Sequence, residues 1–84
     1  MKWEKQGGKL KVKLLGDFNY ERVLKLKKLS ENCSFLEIDL SLSRFADTEA
    51  VDFLYNLKLK GIKYELLNRP ELLNRVCEIL GVEV

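Results

Sequence analysis

The sequence contains no histidine, one proline, one methionine and only two cysteines among its 84 residues. Without histidine there is no imidazole for a catalytic triad, for general-base catalysis near neutral pH or for the commonest zinc sites. Cys33 and Cys77 stand alone in apolar surroundings, without the spacing of a metal site or the density of a disulfide scaffold. We therefore expect two buried thiols and no bound metal.

Long hydrophobic runs are missing as well. No stretch approaches the roughly 20 apolar residues that span a bilayer, and the opening residues Met1-Lys2-Trp3-Glu4 lack the apolar segment of a signal peptide. We therefore expect a cytoplasmic protein without membrane insertion. Gly7-Gly8 is not followed by the lysine and helix of a phosphate-binding loop, which argues against a nucleotide cofactor.

Catalytic constellations are also absent. The candidate nucleophiles Thr48, Cys33 and Cys77 have no evident general base or oxyanion-binding group in the sequence. We therefore expect a protein that is not an enzyme and uses no cofactor.

The residues that are present indicate one small globular domain spanning 1–84. Apolar residues make up 46% of the chain and charged residues 33%, a mixture typical of a folded protein. Charge is uneven, since residues 1–31 hold nine of the 15 Lys and Arg but four of the 13 Asp and Glu. Such a basic third could bind nucleic acid. The alternation of Lys9, Lys11 and Lys13 with apolar residues favours instead the solvated face of a strand.

Hydrophobic periodicity predicts an α/β fold with the element order β-β-α-β-α-β-α. Gly7-Gly8 favours a β-hairpin, and Asn19 is a plausible N-cap for the first helix. A second helix is predicted from Asp47 to a C-capping glycine at Gly61, and a third begins with Pro70 at its first position. The helices and alternating strands predict a mixed central sheet, extended by the N-terminal hairpin and covered by helices. The last helix is expected to bury Leu72, Leu73, Val76, Ile79 and Leu80 and to stop at Gly81.

Five short segments carry a family resemblance: LEIDLS at 36–41, FADTEAV at 45–51, KG at 60–61, NRPE at 68–71 and ILGV at 79–82. In order and spacing they resemble the core of the STAS family, which includes the anti-sigma-factor antagonists and the STAS subunits of lipid-transport ABC systems. The resemblance covers about half of the chain. It departs from the family at Ala50, where glycine is usual.

The resemblance implies a protein-binding switch at the start of the second crossover helix, where a hydroxyl is phosphorylated by a partner kinase. Asp47 matches the family's aspartate and Thr48 its first hydroxyl position. Glu49 occupies the second position, which is the usual phosphoacceptor in sigma-factor regulators. Two alternatives follow: Glu49 acts as a permanent negative charge, or Thr48 is the functional hydroxyl.

Electrostatics bear on that choice. Asp47, Glu49 and Asp52 place three carboxylates within about one turn of Thr48, and they would repel an added phosphate. Our working hypothesis is therefore a switch locked in one state or a constitutive scaffold subunit. A purely structural interpretation also exists, because Asp47 is a good N-cap and Glu49 meets the positive end of the helix dipole.

These observations lead to three functional hypotheses. In the first, the helix from Asp47 and its preceding loop bind an anti-sigma factor or kinase-type regulator, with Arg44, Phe45, Asp52 and Tyr55 completing the partner-binding surface. In the second, the same surface of a small STAS subunit binds the ATPase of a phospholipid-transport ABC complex. In the third, the basic N-terminal third binds nucleic acid.

Overall fold

The sheet has four strands in the spatial order β1-β2-β3-β4. The computed structural model describes all of residues 1–84. The strands are β1 (Lys2–Gln6), β2 (Lys9–Lys13), β3 (Phe35–Asp39) and β4 (Lys63–Leu67). β1 and β2 form an antiparallel hairpin, whereas β2, β3 and β4 run parallel. Gly7 and Gly8 have φ angles of +55° and +83°, the left-handed backbone that a two-residue hairpin turn requires.

Three helices alternate with the parallel strands and cover one face of the sheet. They are α1 (Tyr20–Leu29), α2 (Thr48–Leu59) and α3 (Glu71–Leu80). α2 packs against both α1 and α3 and against β4. Leu10, Val12, Leu36 and Ile38 point into this helical layer and are buried. The predicted order β-β-α-β-α-β-α, with a mixed sheet extended by the N-terminal hairpin, is therefore confirmed.

Local signals set most of the helix ends. The Asn19 side chain accepts a hydrogen bond from the Arg22 N–H at 3.2 Å, as predicted for an N-cap. Gly61 and Gly81 follow α2 and α3 with φ of +75° and +69°, so both occupy the left-handed position that ends a helix. The prediction for Pro70 was wrong by one residue: its ψ of 146° is extended, which makes it the N-cap of α3 and Glu71 the first helical residue.

The central position of α2 determines how much of each helix is buried. α2 has a helix on either side and buries Ala50, Val51, Phe53, Leu54 and Leu57. The outer helices have one helical neighbour each, so α1 buries only Val23 and Leu26, and α3 buries only Leu73 and Cys77.

Because α3 lies at the side of the helical layer, the prediction of its buried apolar face was wrong in part. Ile79 and Leu80 were expected to be buried, but their side chains are 83% and 46% exposed, and Leu72 is 41% exposed. Cys33 and Cys77 are buried free thiols, which confirms that prediction. No helix of the protein has both the length and the apolar character to cross a membrane.

Candidate functional site

The first turn of α2 lies where the parallel strands end, beside the loops that leave β2 and β3. A short parallel bridge joins Phe18 to Ala46 and thereby connects these two loops. The Phe18 N–H donates to the Phe45 carbonyl at 3.0 Å, and the Asp47 N–H donates to the Phe18 carbonyl at 3.2 Å. Ligands of open α/β sheets bind at the carboxyl ends of the strands, so this end of the molecule is the natural place for a site.

Asp47 joins the starts of two helices. Its Oδ1 accepts from the Ala50 N–H at 3.0 Å, and its Oδ2 accepts from the Tyr20 N–H at 3.2 Å. The carboxylate therefore caps α2 and also satisfies the first N–H of α1. Both oxygens are engaged within the fold, so the geometry gives Asp47 a structural role.

A second carboxylate fixes the loop before α2. Asp17 Oδ1 accepts from the N–H groups of Arg44 and Phe45 at 3.1 and 3.2 Å. The buried Ser43 hydroxyl donates to the Gly16 carbonyl. With its backbone held in this way, the loop leaves the Phe45 side chain 45% exposed.

The exposed face of α2 borders a shallow groove of about 390 Å³ between α2 and the end of α3. Thr48, Asp52 and Tyr55 are spaced by four and three residues, which places them on one side of the helix. Glu49 lines the same groove. Asp52 accepts a hydrogen bond from the Asn56 side chain at 3.2 Å, while no protein group bonds to the side chains of Thr48 and Glu49. The first turn of α2 thus presents a free hydroxyl and a free carboxylate.

The structure brings together only some of the predicted site residues. Thr48, Glu49, Asp52 and Tyr55 share the groove, whereas Arg44 and Phe45 lie in the preceding loop outside it. Asp47 lies between these two groups, facing α1.

Sequence reasoning missed Leu80 and Val82, which form the far side of the groove, and also missed Leu42, an exposed apolar residue of the preceding loop. Leu80 lines the groove and is 46% exposed, and Leu42, in the same loop as Phe45, is 53% exposed. Leu80 was assigned to the core because it continues the helical pattern of α3. Leu42 had a usable signal, because it is an apolar residue among the polar residues of a predicted loop.

A third carboxylate at this end of the sheet has a perturbed pKa. Asp39 Oδ1 accepts from the Ser41 N–H at 2.9 Å and from the Asn68 side-chain amide at 3.1 Å. The Ser41 N–H makes the larger contribution and the Asn68 amide the next, and together they lower the pKa of Asp39 below its ordinary value. Asp39 thereby links the loops that follow β3 and β4.

Burial raises the pKa of the Cys77 thiol above its ordinary value, and it also raises the pKa of the Tyr64 hydroxyl. A raised thiol pKa opposes formation of the reactive thiolate.

No group of three or more Cys, Asp or Glu side chains is placed to hold a metal ion. No protein-family model and no curated protein matches the chain.

Proposed function

We propose that this chain is a non-enzymatic protein-interaction module of the STAS type, acting in the cytoplasm and binding a partner protein through its α2 surface. The α2 surface comprises Phe45, Thr48, Glu49, Asp52 and Tyr55. The observation that carries the proposal is the pairing of exposed aromatic side chains with unneutralised carboxylates. Tyr55 is 40% exposed and lines the same groove as Glu49, which has no ion-pair partner, and Phe45 in the preceding loop is 45% exposed.

The chemistry of this surface indicates the kind of partner. Tyr is enriched among the residues that dominate binding energy at interfaces, because it buries a large apolar area and keeps a hydrogen-bonding hydroxyl. The carboxylates of Glu49 and Asp52 favour basic groups on the partner. The STAS resemblance implies that such a partner is an anti-sigma factor or kinase-type regulator. The ATPase of a phospholipid-transport ABC complex is the second candidate, since the STAS resemblance includes subunits of such complexes.

Affinity purification of the tagged chain from its native host tests the proposal and separates the two candidates. A soluble kinase-like regulator is expected in the eluate, whereas a membrane ATPase would support the second candidate.

Binding of the recovered partner is then measured for Tyr55→Ala and Phe45→Ala. Each is expected to weaken binding by about tenfold or more, the effect of truncating an aromatic anchor. Trp3→Ala is the matched control, because Trp3 is 52% exposed on β1, away from α2. Equal binding by all variants would refute the proposal.

Thr48 is the only hydroxyl of the α2 surface apart from Tyr55, and we propose that it stays unmodified. It precedes Glu49 directly and lies one turn from Asp52, so a phosphate would add its charge to a cluster that is already negative. Incubation with a co-purified kinase followed by intact-mass measurement is expected to show no added phosphate. A phosphate increment that disappears in Thr48→Val would show instead that the switch is active.

The basic N-terminal third supports nucleic-acid binding less well. On the solvent-facing side of the sheet, Lys11 lies between Glu4 and Glu37, and Lys13 lies between Lys2 and Asp39. These carboxylates reduce the positive potential that phosphate binding requires. Micromolar protein is therefore expected to leave random duplex DNA unshifted at physiological ionic strength. Binding that falls steeply with added salt would contradict this expectation.

A further inference from the structure

The outer edge of β4 carries backbone groups that no other strand pairs. The Leu67 carbonyl accepts from the Leu40 N–H at 2.9 Å, so the backbone of Leu67 points toward β3. The directions of the backbone N–H and C=O groups alternate along a strand. The backbone groups of Lys63 and Glu65 therefore also point toward β3, and those of Tyr64 and Leu66 point away from the sheet. The outward groups make no hydrogen bond within the chain. An edge of this kind is a template for an added strand.

The edge is accessible as well as unpaired. A shallow groove of about 830 Å³ runs beside β4, lined by Ile62, Tyr64, Leu66 and Val84 among others. Tyr64 and Leu66 are half-buried on the helical side of the sheet and form an apolar strip along β4, while Lys58 of α2 and Arg69 add basic groups to the lining. An incoming strand would cover this apolar surface while it satisfies the outward backbone groups.

The charges along β4 show what the added strand must supply. Lys63 and Glu65 lie on the solvent-facing side of the sheet and are exposed. Glu65 stands in register beside Glu37, a like-charge neighbour, and Lys63 stands beside the uncharged Phe35. The only ion pair in the protein joins Arg75 to Glu71 on α3, so Lys63 and Glu65 are both unneutralised. An added strand that fits must present a cation opposite Glu65 and an anion opposite Lys63.

We propose that a second copy of this chain supplies that strand, pairing β4 with β4 in antiparallel orientation about a two-fold axis at Tyr64. In this register Lys63 faces Glu65 of the second copy, and Glu65 faces Lys63 of the second copy. The Tyr64 N–H donates to the Tyr64 carbonyl of the other copy, and the Leu66 N–H donates to its Ile62 carbonyl. Two four-stranded sheets join into one continuous sheet with a self-complementary interface.

Two comparisons favour this pairing over its alternatives. A register with Glu65 opposite Glu65 of the second copy would place like charges face to face, which destabilises a strand pair. The opposite edge of the sheet, β1, also alternates Lys2 and Glu4. Glu4, however, lies in register opposite the cation Lys11 within the hairpin, whereas Glu65 lies in register beside the like charge of Glu37.

Sedimentation velocity over a concentration series tests the proposal. The wild-type chain is expected to form a dimer in a concentration-dependent manner. Lys63→Glu and Glu65→Lys each turn two attractive cross-strand pairs into repulsive ones, and each is expected to weaken dimerisation by about tenfold or more. The combined variant Lys63→Glu/Glu65→Lys restores opposite charges and is expected to recover the dimer.

Glu4→Lys is the matched control, since it makes the same change on the β1 edge and is expected to leave the dimer intact. Far-ultraviolet circular dichroism of every variant checks that the fold is retained. A wild-type chain that stays monomeric at every concentration overturns the proposal. So does a dimer that Glu4→Lys disrupts, or a combined variant that fails to recover dimerisation.

Discussion

Asp47 connects two helices through a single carboxylate, and this geometry decides how its substitution must be interpreted. Loss of binding in an Asp47 variant could result from a destabilised fold as readily as from a lost contact with the partner. Thr48, Glu49 and Tyr55 carry no comparable structural bonds, so they are the residues with which the α2 surface is properly tested.

Asp47→Ala is expected to destabilise the protein by about 1–2 kcal/mol, the usual cost of losing a helix N-cap. The reason is that the Tyr20 N–H loses its acceptor and the Ala50 N–H keeps only the backbone carbonyl of residue 47, at 3.1 Å. Urea unfolding measures the loss of unfolding free energy, provided that the m-value is the same as for the wild type. Asp47→Asn keeps an oxygen for the Ala50 N–H and should cost less. An equally large loss in Glu49→Ala would contradict this account, because the Glu49 side chain accepts no hydrogen bond.

Asp39 predicts a pH dependence of stability with a defined sign. Its pKa in the folded protein lies below the unfolded value of about 3.9. Its contribution is therefore complete above about pH 5, well above the unfolded pKa, and is lost as the pH falls through the folded pKa. A pH titration in which nuclear magnetic resonance monitors the Asp39 carboxyl measures this pKa. Asn68→Gly removes the amide donor while accommodating the backbone φ of +56°, and it should raise the pKa. A pKa of Asp39 equal to that in the denatured chain would refute the prediction.

At the scale of the elements, α3 is an outer helix held by a narrow apolar stripe. Leu73 is fully buried in the core, whereas Ile79 is 83% exposed two turns later. Leu73→Ala is therefore expected to cost about 2–5 kcal/mol through lost burial and a residual cavity. Ile79→Ala should stay within about 0.5 kcal/mol of the wild type. Thermal or urea unfolding of the two variants compares them, and similar costs would contradict the observed packing of α3.

The element order was predictable because its signals are local. Gly7-Gly8 specifies a hairpin turn, and Asn19 and Gly81 mark helix ends within a few residues of their effects. The exposure of Ile79 was not predictable, because it depends on α3 having a helix on one side only. The bond between Asp47 and the Tyr20 N–H was also hidden, since the two residues are 27 positions apart and meet only after the sheet has formed.

The candidate site was predicted in part. The sequence pattern selected Thr48, Glu49, Asp52 and Tyr55, which share a groove in the structure. Leu80 completes that groove from α3, and no spacing rule within α2 could have found it. Which residues bind a partner stays a prediction until the Tyr55 and Phe45 variants are measured.

At the scale of the whole molecule, the reactivity of the two cysteine thiols measures how often the core unfolds. Cys33 is 7% exposed and Cys77 6% exposed, and burial keeps the pKa of Cys77 high. Both thiols are expected to react with a disulfide reagent only as fast as the core opens, and rapidly in urea. Reaction rates of Cys33→Ser and Cys77→Ser separate the two sites. Native labelling as fast as labelling in urea would contradict this expectation.

The hydrogen bonds of Asp17 and Asp47 have a consequence for where the chain tolerates new sequence. They connect loops 27 and 28 residues apart at one end of the molecule. Foreign residues inserted into either loop would move the Asp17 and Asp47 carboxylates away from the N–H groups that donate to them. At the other end, the backbone bonds of the Gly7-Gly8 turn outside its own hairpin are those of the Gly8 carbonyl, which accepts from the N–H groups of Ser34 and Phe35 at 2.8 and 3.4 Å. A label or an affinity peptide is therefore best placed between Gly7 and Gly8, where it would leave both helix starts undisturbed.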